Sequence, residues 1–571
     1  MSLLGKKWHI KNKDIRVPLY RRLLENRGIS DEADEQRFVY PTRELDFHDP
    51  FLMKDMTKAV ERIFSAIKNK ERIMIFGDYD VDGITGSAIL IRILKALGAE
   101  VSCKLPSRLK DGYGLRTKFI DDFVNSNVKL IITVDNGISC ADEIDYANLK
   151  NIDVIVSDHH TVPARLPNAT AILHPKIPGC GYPFSELTGA GVALKLAQAL
   201  AISTPKFAPK KATIVNEALV DDFFDLACMG TVADLGDLRG ENRYIVKEGL
   251  KKIAETRWPG LSKLKEKAGV KGEITTETVG FQLCPRINAA GRMSDPTEAL
   301  RLLITDEKNV EKYAETLDLL NRDRQNIMKE LIDIAENDIE NQKENPILIV
   351  CNTSFHGGII GLIAARLCEK YNKPSIAMEV RDDIIIGSCR SIPGLNIATA
   401  LTRVQEKSPK NKPVLINFGG HPAAAGFTLK AQDEKRLFTE LNEVICEMMK
   451  DFEPSPLLNI DTVLGESDIS FESLNIIRLL APFGMGNPAP LFACTGLPVH
   501  EVVTVGKDKT HLKIRVRANG TIIDAIGFKL GGFEQNLRNA KKVDIVGELD
   551  ENVWNGVSKI QLKIKDARIS K

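Results

Sequence analysis

The sequence predicts an α/β protein of several domains: a parallel-sheet domain, a long helical connector, a smaller α/β domain and a C-terminal β-barrel of OB type. Three observations carry this. Apolar runs of strand length alternate with helical periodicity from about residue 51, which is βαβ grammar. Residues 297–345 are rich in Glu, Lys, Leu and Asn with few Gly or Pro, which reads as one long or two shorter solvated helices. From about 455 onward short β-rich runs follow one another closely, the pattern of a small barrel. At 571 residues the chain is too long for a single ordinary core.

Residues 1–50 are charged, with a Tyr40-Pro41 break, and read as an irregular N-terminal cap. The parallel-sheet domain spans 51–296. It opens with a helix over 56–66 and a strand over 72–76, followed by a helix over 84–97 with Ile84, Ala88, Ile91 and Leu94 at helical spacing and Gly98 as its stop. A helix over 190–200 and an apolar stretch over 223–232 continue it. The connector covers 297–345. The smaller α/β domain, 346–454, restarts with Pro346-Ile347-Leu348-Ile349-Val350, a helix over 359–370 and strands at 375–378 and 384–386, closing around Gly426. The barrel, 455–571, has strands at 512–516, 522–528, 543–546 and 560–564, with turns at Asn519-Gly520 and Asn555-Gly556.

Composition excludes several classes. Lys plus Arg number 78 against 77 Asp plus Glu, a net charge of +1, so a polyanion must be held by local patches. One patch stands out: residues 501–571 hold 14 Lys/Arg against 9 Asp/Glu, with Phe528, Phe533 and Trp554 among them. Such a mixture suits single strands, whose phosphates and base faces are both engaged, although a solvated sheet with core aromatics has the same signature. Ten cysteines occur without any C-x-x-C, against a zinc knuckle or redox dithiol and in keeping with a reducing compartment. With no apolar stretch at the N-terminus and no run of roughly 20 apolar residues, a cytoplasmic protein without membrane association is expected.

The chemistry lies where strands end. Ile73-Met74-Ile75-Phe76 leads into Gly77-Asp78-Tyr79-Asp80-Val81-Asp82-Gly83, Leu130-Ile131-Ile132-Thr133-Val134 into Asp135-Asn136-Gly137, and Ile152-Asp153-Val154-Ile155-Val156 into Ser157-Asp158-His159-His160. Carboxyl ends of parallel strands share one edge, where ligands bind, so Asp80, Asp82, Asp135, His159 and His160 converge. Packed carboxylates raise one another's pKa. Hard divalent ions remove that penalty, and imidazoles tilt the choice toward manganese. Asp80 and Asp82 share a face if the strand runs on, or wrap a cation if it stops; Asp82 taken alone reads as a helix N-cap. Neighbouring side chains on a strand point oppositely, so His159 is expected as ligand and His160 toward a substrate phosphate.

These segments resemble the motifs of the DHH phosphoesterase family: Asp78 to Gly83, Val134-Asp135-Asn136-Gly137 and Asp158-His159-His160 are similar to its first three, and Thr231-Val232-Ala233-Asp234 to its fourth. Gly419-Gly420-His421-Pro422 and Ser388-Cys389-Arg390-Ser391 resemble the DHH-associated domain. With cap, connector and barrel, nearly the whole length is similar to the family's single-strand-specific exonucleases. The resemblance implies two ions, manganese or magnesium, held by Asp80, Asp82, Asp135, His159 and Asp234, with Asp135 and Asp234 bridging. Asp234 rests on the resemblance alone. It further implies that His160 touches the scissile phosphate, that Asp78 and Asp158 steady the ligands, and that Arg108, Ser388 and Arg390 take a terminal 5′ phosphate, to which Arg is matched bidentately. Arg286, Asn288 and Arg292 would contact the strand, and His421 would approach the phosphate being cleaved.

Two departures stand out: Phe355-His356-Gly357-Gly358 where members often have Trp-His-Pro-Gly, and Gly236-Asp237 after the fourth motif. Neither touches an expected ligand. The resemblance implies a 5′-to-3′ exonuclease on single-stranded DNA that releases 5′-mononucleotides in recombination and repair, as a monomer working beside a single-strand-binding protein and a helicase. A phosphodiesterase on short oligoribonucleotides, cyclic dinucleotides or pyrophosphate would leave the barrel without a use. A catalytically silent replication scaffold would have eroded motifs, and here every ligand is present.

Overall fold

The computed structural model describes residues 2–108, 111–112, 114–207, 215–305, 309–409, 412–450, 457–554 and 556–570. Its contacts divide into two units, one made of Asp49–Gly236 with Glu248–Pro454, the other of Met1–His48, Asp237–Lys247 and Ser455–Lys571. Within the segment expected to be an irregular cap, the chain instead forms strand β1 (Lys7–Asn12) and the helices Leu19–Glu25 and Glu32–Val39. Alternation made the difference, because Trp8 and Ile10 both face one apolar cluster.

The first unit holds a five-stranded sheet of β2 (Arg72–Gly77), β3 (Glu100–Lys104), β4 (Val128–Val134), β5 (Asp153–Ser157) and β6 (Ala171–Leu173) in the order β3-β2-β4-β5-β6. Every pairing is parallel. The inner strands β4 and β5 are buried almost throughout, which explains their unbroken apolar runs: helices cover both faces of such a sheet. β2 turns directly into the helix Val81–Ala96, and Asp80 caps it by accepting the N–H groups of Asp82 and Gly83. The turn admits no side chain at two places, since a Cβ on Gly77 would stand 2.1 Å from Ser87 Oγ and one on Gly83 2.6 Å from Asp78 N.

The expected connector is two helices, Thr297–Ile304 and Val310–Asp338. Toward its N-terminal end the longer one is pinned by an ion pair from Arg286 Nε to Asp318 Oδ1 at 2.9 Å. Toward its C-terminal end Leu331 and Ala335 enter a core with Leu348, Ile360 and Ile363. A mixed sheet follows, with β7 (Leu348–Asn352), β8 (Ser375–Arg381), β9 (Ile384–Arg390), β10 (Leu415–His421) and β11 (Ala424–Lys430) in the order β10-β11-β9-β8-β7. Only β7 and β8 run parallel.

The second unit contains β12 (Leu457–Val463), β13 (Phe492–Val505), β14 (His511–Ala518), β15 (Thr521–Gly527), β16 (Lys542–Trp554) and β17 (Val557–Ile569). The path β13-β14-β15-β17-β16 returns to β13 through a β13–β16 pairing, which closes five strands into the expected barrel. β12 and then β1 extend it in parallel. Buried Arg22 ties this extension together, donating to Thr462 Oγ1 at 2.7 Å and Asp468 Oδ2 at 3.0 Å. Arg243, also buried, donates to the carbonyls of Leu480 and Ala481 and stacks on Phe38 at 3.8 Å.

Candidate active site

Strands β2, β4 and β5 each hand their first loop residue to the neighbouring strand at the carboxyl edge. Asp78 N donates to Val134 O at 3.1 Å, Asp135 N to Ser157 O at 2.9 Å and Asp158 N to Leu173 O at 3.1 Å. The three acids therefore stand in one row, set by backbone and not by side-chain preference. Asp135 adopts φ +61°, a left-handed conformation that Asp tolerates better than most residues, and this turns its carboxylate back over the edge.

The side chains converge. His159 Nε2 lies 3.0 Å from Asp135 Oδ1, 3.6 Å from Asp234 Oδ2 and 3.7 Å from Asp82 Oδ2. Three overlapping groups have ligand atoms within 4.8 Å of one another: Asp135, His159 and His160; Asp82, His159 and Asp234; Asp78, Asp80 and Asp135. Asp135 belongs to two groups and His159 to two, which is the arrangement a pair of ions would share. Asp82 is not a strand residue and not the cap; it lies in the first helical turn, where it accepts Gly189 N at 2.6 Å and Ala190 N at 2.9 Å. Asp234 follows the helix Phe224–Ala233, and no local pattern marks it out.

The histidine pair departs from the expectation of opposite faces. Both rings approach Asp135, His160 Nδ1 at 3.7 Å. Strand alternation has no hold there, because β5 stops at Ser157. Asp158 anchors His160: its Oδ1 contacts His160 Nδ1 at 2.8 Å, and its Oδ2 accepts Ile138 N at 2.9 Å. His174, which the sequence reading missed, contacts His160 O through Nε2 at 2.8 Å. Asp78 was expected only to steady other ligands, yet it joins a candidate ligand group itself, with its buried Oδ1 lacking any hydrogen bond among the described residues.

The electrostatics favour a cation. Burial, then mutual repulsion, pushes Asp78, Asp82 and Asp135 well above the carboxylate range, and Asp234 up to about 6. Burial and the neighbouring His160 hold His159 down to about 3. A neutral imidazole nitrogen thus faces three carboxylates, an arrangement that fits oxygen- and nitrogen-seeking divalent ions and repels itself without them. Burial also opposes protonation of His160, but the Asp158 hydrogen bond and charge outweigh it and raise the ring to about 9.

Basic groups flank this cluster. Arg108 stands over the Tyr79 ring at 5.4 Å. Arg390 donates to Ser388 Oγ at 3.2 Å, and a Cβ on Gly361 would meet both of these side chains at 3.0–3.1 Å, so glycine leaves them access. Arg292 donates to Gly358 O at 3.0 Å, and Asn288 is half-buried on the same helix, Cys284–Met293. Arg286, expected on the strand, is taken up by Asp318. His421 is exposed at the end of β10. Phe355 is buried in the second α/β core, so this departure from the usual tryptophan leaves the core filled.

In the barrel unit Phe528 and Trp554 are 59% and 74% exposed, whereas Phe533 packs against the core. Only two of the three aromatics are therefore open to a base. Asn555, named above in a turn, lies outside the described residues.

Three family models match the chain: the DHH family, N-terminal domain, over residues 72–231, the DHHA1 domain over 344–447 and the RecJ OB domain over 460–566. The chain is 38% identical over 559 residues to the single-stranded-DNA-specific exonuclease RecJ of Bacillus subtilis, covering 97% of this chain and 68% of that protein. It is 31% identical over 569 residues to the Escherichia coli RecJ, covering 96% and 95%. The crystal structure of Thermus thermophilus RecJ in complex with Mn2+ is similar with a TM-score of 0.78 at 29% identity, over 99% of this chain and 80% of that one. Its Mg2+ complex is similar with a TM-score of 0.73 at 28% identity, over 99% and 79%. No helix of the described residues is long and apolar enough to cross a membrane. Agreement over nearly the full length, together with an edge of acids and histidines on a parallel sheet, places this chain in the RecJ family of single-stranded-DNA-specific exonucleases.

Proposed function

We propose that the protein is a divalent-metal-dependent exonuclease that degrades single-stranded DNA from its 5′ end and releases 5′-mononucleotides, in recombination and repair. The observation that carries this reading is the adjacency of two opposite clusters in one unit. The positive charge of Arg108 acts on Asp78 in the acidic group and on Arg390 beside Ser388. A phosphate held by the basic set would therefore lie next to the acids.

Asp80, Asp82, Asp135, His159 and Asp234 would hold two ions, Mn2+ or Mg2+. Such a pair supplies a nucleophile from water at neutral pH and stabilises the leaving oxygen of an in-line displacement. The chain's own residues do the rest. Asp158 fixes Nδ1 of His160, so its protonated ring would donate from Nε2 to the scissile phosphate, and Asp78 would orient or join the ligands. Arg108, Ser388 and Arg390 would grip the terminal phosphate, while Asn288 and Arg292 hold the following nucleotides and His421 closes on the phosphate from β10. The DHH domain at 51–296, the connector at 297–345 and the DHH-associated domain at 346–454 would form the cutting machinery. Residues 455–571 would bind the strand. The protein would act as a cytoplasmic monomer beside a single-strand-binding protein and a helicase.

The test is a nuclease assay on single-stranded DNA with one end blocked. Release of mononucleotides from a free 5′ end in Mn2+, abolished by Asp135→Ala, is expected. Degradation from the 3′ end, or full activity in Asp135→Ala, would refute the assignment.

A further inference from the structure

Tyr79 stands between two acids of the sheet edge, and both of its neighbours are pinned. Asp78 N donates to Val134 O at 3.1 Å, which ties the residue before it to the sheet. Asp80 Oδ1 accepts Asp82 N at 3.0 Å and Gly83 N at 3.2 Å, which ties the residue after it to the first turn of the helix Val81–Ala96. The helix Cys284–Met293 closes on the same peptide: a Cβ on Gly291 would lie 2.7 Å from Tyr79 O and 3.6 Å from Tyr79 Cβ. The Tyr79 backbone is therefore held on three sides, at a fixed place relative to the acids.

Arg108 rests on this residue. Its guanidinium stands over the Tyr79 ring, 5.4 Å from the centroid, within the reach of a cation–π contact. Asp111 closes the base of its loop, accepting Ser107 N through Oδ2 at 2.8 Å and donating its own N–H to Ser107 O at 2.8 Å. Among the described residues the Arg108 side chain has no ion pair and no hydrogen bond. The aromatic ring is thus the contact that places it, and its N–H groups are left for an anion.

We propose that Tyr79 is a positioning residue that carries Arg108 at a set distance from the metal-binding acids, so that a terminal phosphate gripped by Arg108 brings the first phosphodiester, and no later one, to the cleavage site. This rests on the exonuclease reading above. The step of one nucleotide is then built into the Asp78-Tyr79-Asp80 segment, which joins the cutting groups to the end-binding group through a single side chain. Because a cation is attracted by the ring face, the ring and not the hydroxyl does this.

The test compares the full chain with Tyr79→Phe, Tyr79→Leu, Arg108→Gln and the pair Tyr79→Leu with Arg108→Gln, on single strands bearing a 5′ phosphate or a 5′ hydroxyl. KM, kcat and product length are read in Mn2+, and Mn2+ affinity by titration calorimetry. Tyr79→Phe should match the parent. Tyr79→Leu should raise KM about fivefold on the 5′-phosphate strand, the worth of one cation–π contact, and leave the 5′-hydroxyl strand nearly unaffected. It should also release dinucleotides beside mononucleotides, with Mn2+ affinity kept. In the Arg108→Gln background the same change should add nothing, since the two residues act as one unit. Unchanged KM and product length in Tyr79→Leu would overturn the inference, as would a parent chain indifferent to the 5′ phosphate. So would lost Mn2+ affinity, an equal penalty on both strands or a full further penalty without Arg108, any of which would make Tyr79 a support for the acids alone. A Tyr79→Phe loss as large as that of Tyr79→Leu would assign the role to the hydroxyl and overturn it too. A parent chain that degrades strands from the 3′ end would instead refute the exonuclease reading.

Discussion

The carboxylate of Asp82 is held by the backbone N–H of Gly189 at 2.6 Å, at the start of the helix Gly189–Phe207. A helix N-terminus stabilises negative charge, and here it offsets part of the cost of burying an acid among acids. Gly189 also borders Asp135, since a Cβ there would lie 2.5 Å from Asp135 Cβ and 2.8 Å from its Oδ1. One glycine therefore lets two acids sit side by side.

Gly189→Ala should displace Asp135 and weaken Mn2+ binding by 10-fold or more, about the effect of disturbing residues that orient metal ligands. Titration calorimetry checks this. Alanine favours a helix over glycine by roughly 1 kcal/mol, so a variant that gains stability and keeps its Mn2+ affinity would show the close approach to be harmless.

Asp318 serves two arginines, Arg286 at 2.9 Å and Arg322 at 2.7 Å, and is itself buried. Removing it leaves the Arg286 guanidinium desolvated and unpaired. Asp318→Ala should cost about 3 kcal/mol in denaturant unfolding. The exposed partner is different, and Arg322→Ala should cost at most about 1 kcal/mol. Equal losses would mean that burial does not govern this pair.

Asp225 is buried away from the acidic edge and accepts from Leu226 N at 2.7 Å, Thr256 Oγ1 at 2.7 Å and Trp258 Nε1 at 3.1 Å. Burial outweighs these donors and raises its pKa from 3.8 to about 6. The folded state therefore binds a proton that the unfolded state has released between those values. Its contribution is complete below about pH 4 and lost as pH rises through 6, on the order of 3 kcal/mol in all. Asp225→Asn should remove this part of the slope, read as the difference in melting temperature between variant and parent from pH 4 to 7. Parallel curves would place the titration elsewhere.

Trp554 sits at the end of the β16–β17 hairpin, paired with Val557, and both are exposed. If it stacks on bases, Trp554→Ala should weaken binding of long single strands by about 1–3 kcal/mol with no change in melting temperature. Phe533→Ala should do the reverse, destabilising the barrel it packs against. Fluorescence anisotropy and thermal melts together separate the two outcomes.

Much of the catalytic region was legible because the signals are local. The apolar run before Asp135-Asn136-Gly137 reads as a strand and its end as a turn, and parallel connection then puts that acid on the same edge as Asp80 and Asp158. The histidine pair was misread for an equally local reason: alternation was carried past Ser157, where the strand has already ended. Asp234 had no signal beyond resemblance, since an acid after a buried helix is an ordinary sight until Asp82 and His159 are seen beside it.

The sequence by itself determined the order of strands and helices, the barrel of short strands and the acids at the sheet edge, because periodicity and turn residues act over a few neighbours. Tertiary structure alone decided what meets what. It joined β1 to β12, nearly the length of the chain away, through an apolar cluster that neither segment reveals. It set Asp82 on the backbone of Gly189 and Ala190, and it paired Arg286 with Asp318 across two packed helices. Hydrogen bonds and charges act over a few ångströms in space, so their pairing follows from the packing of distant segments and not from the spacing of residues along the chain.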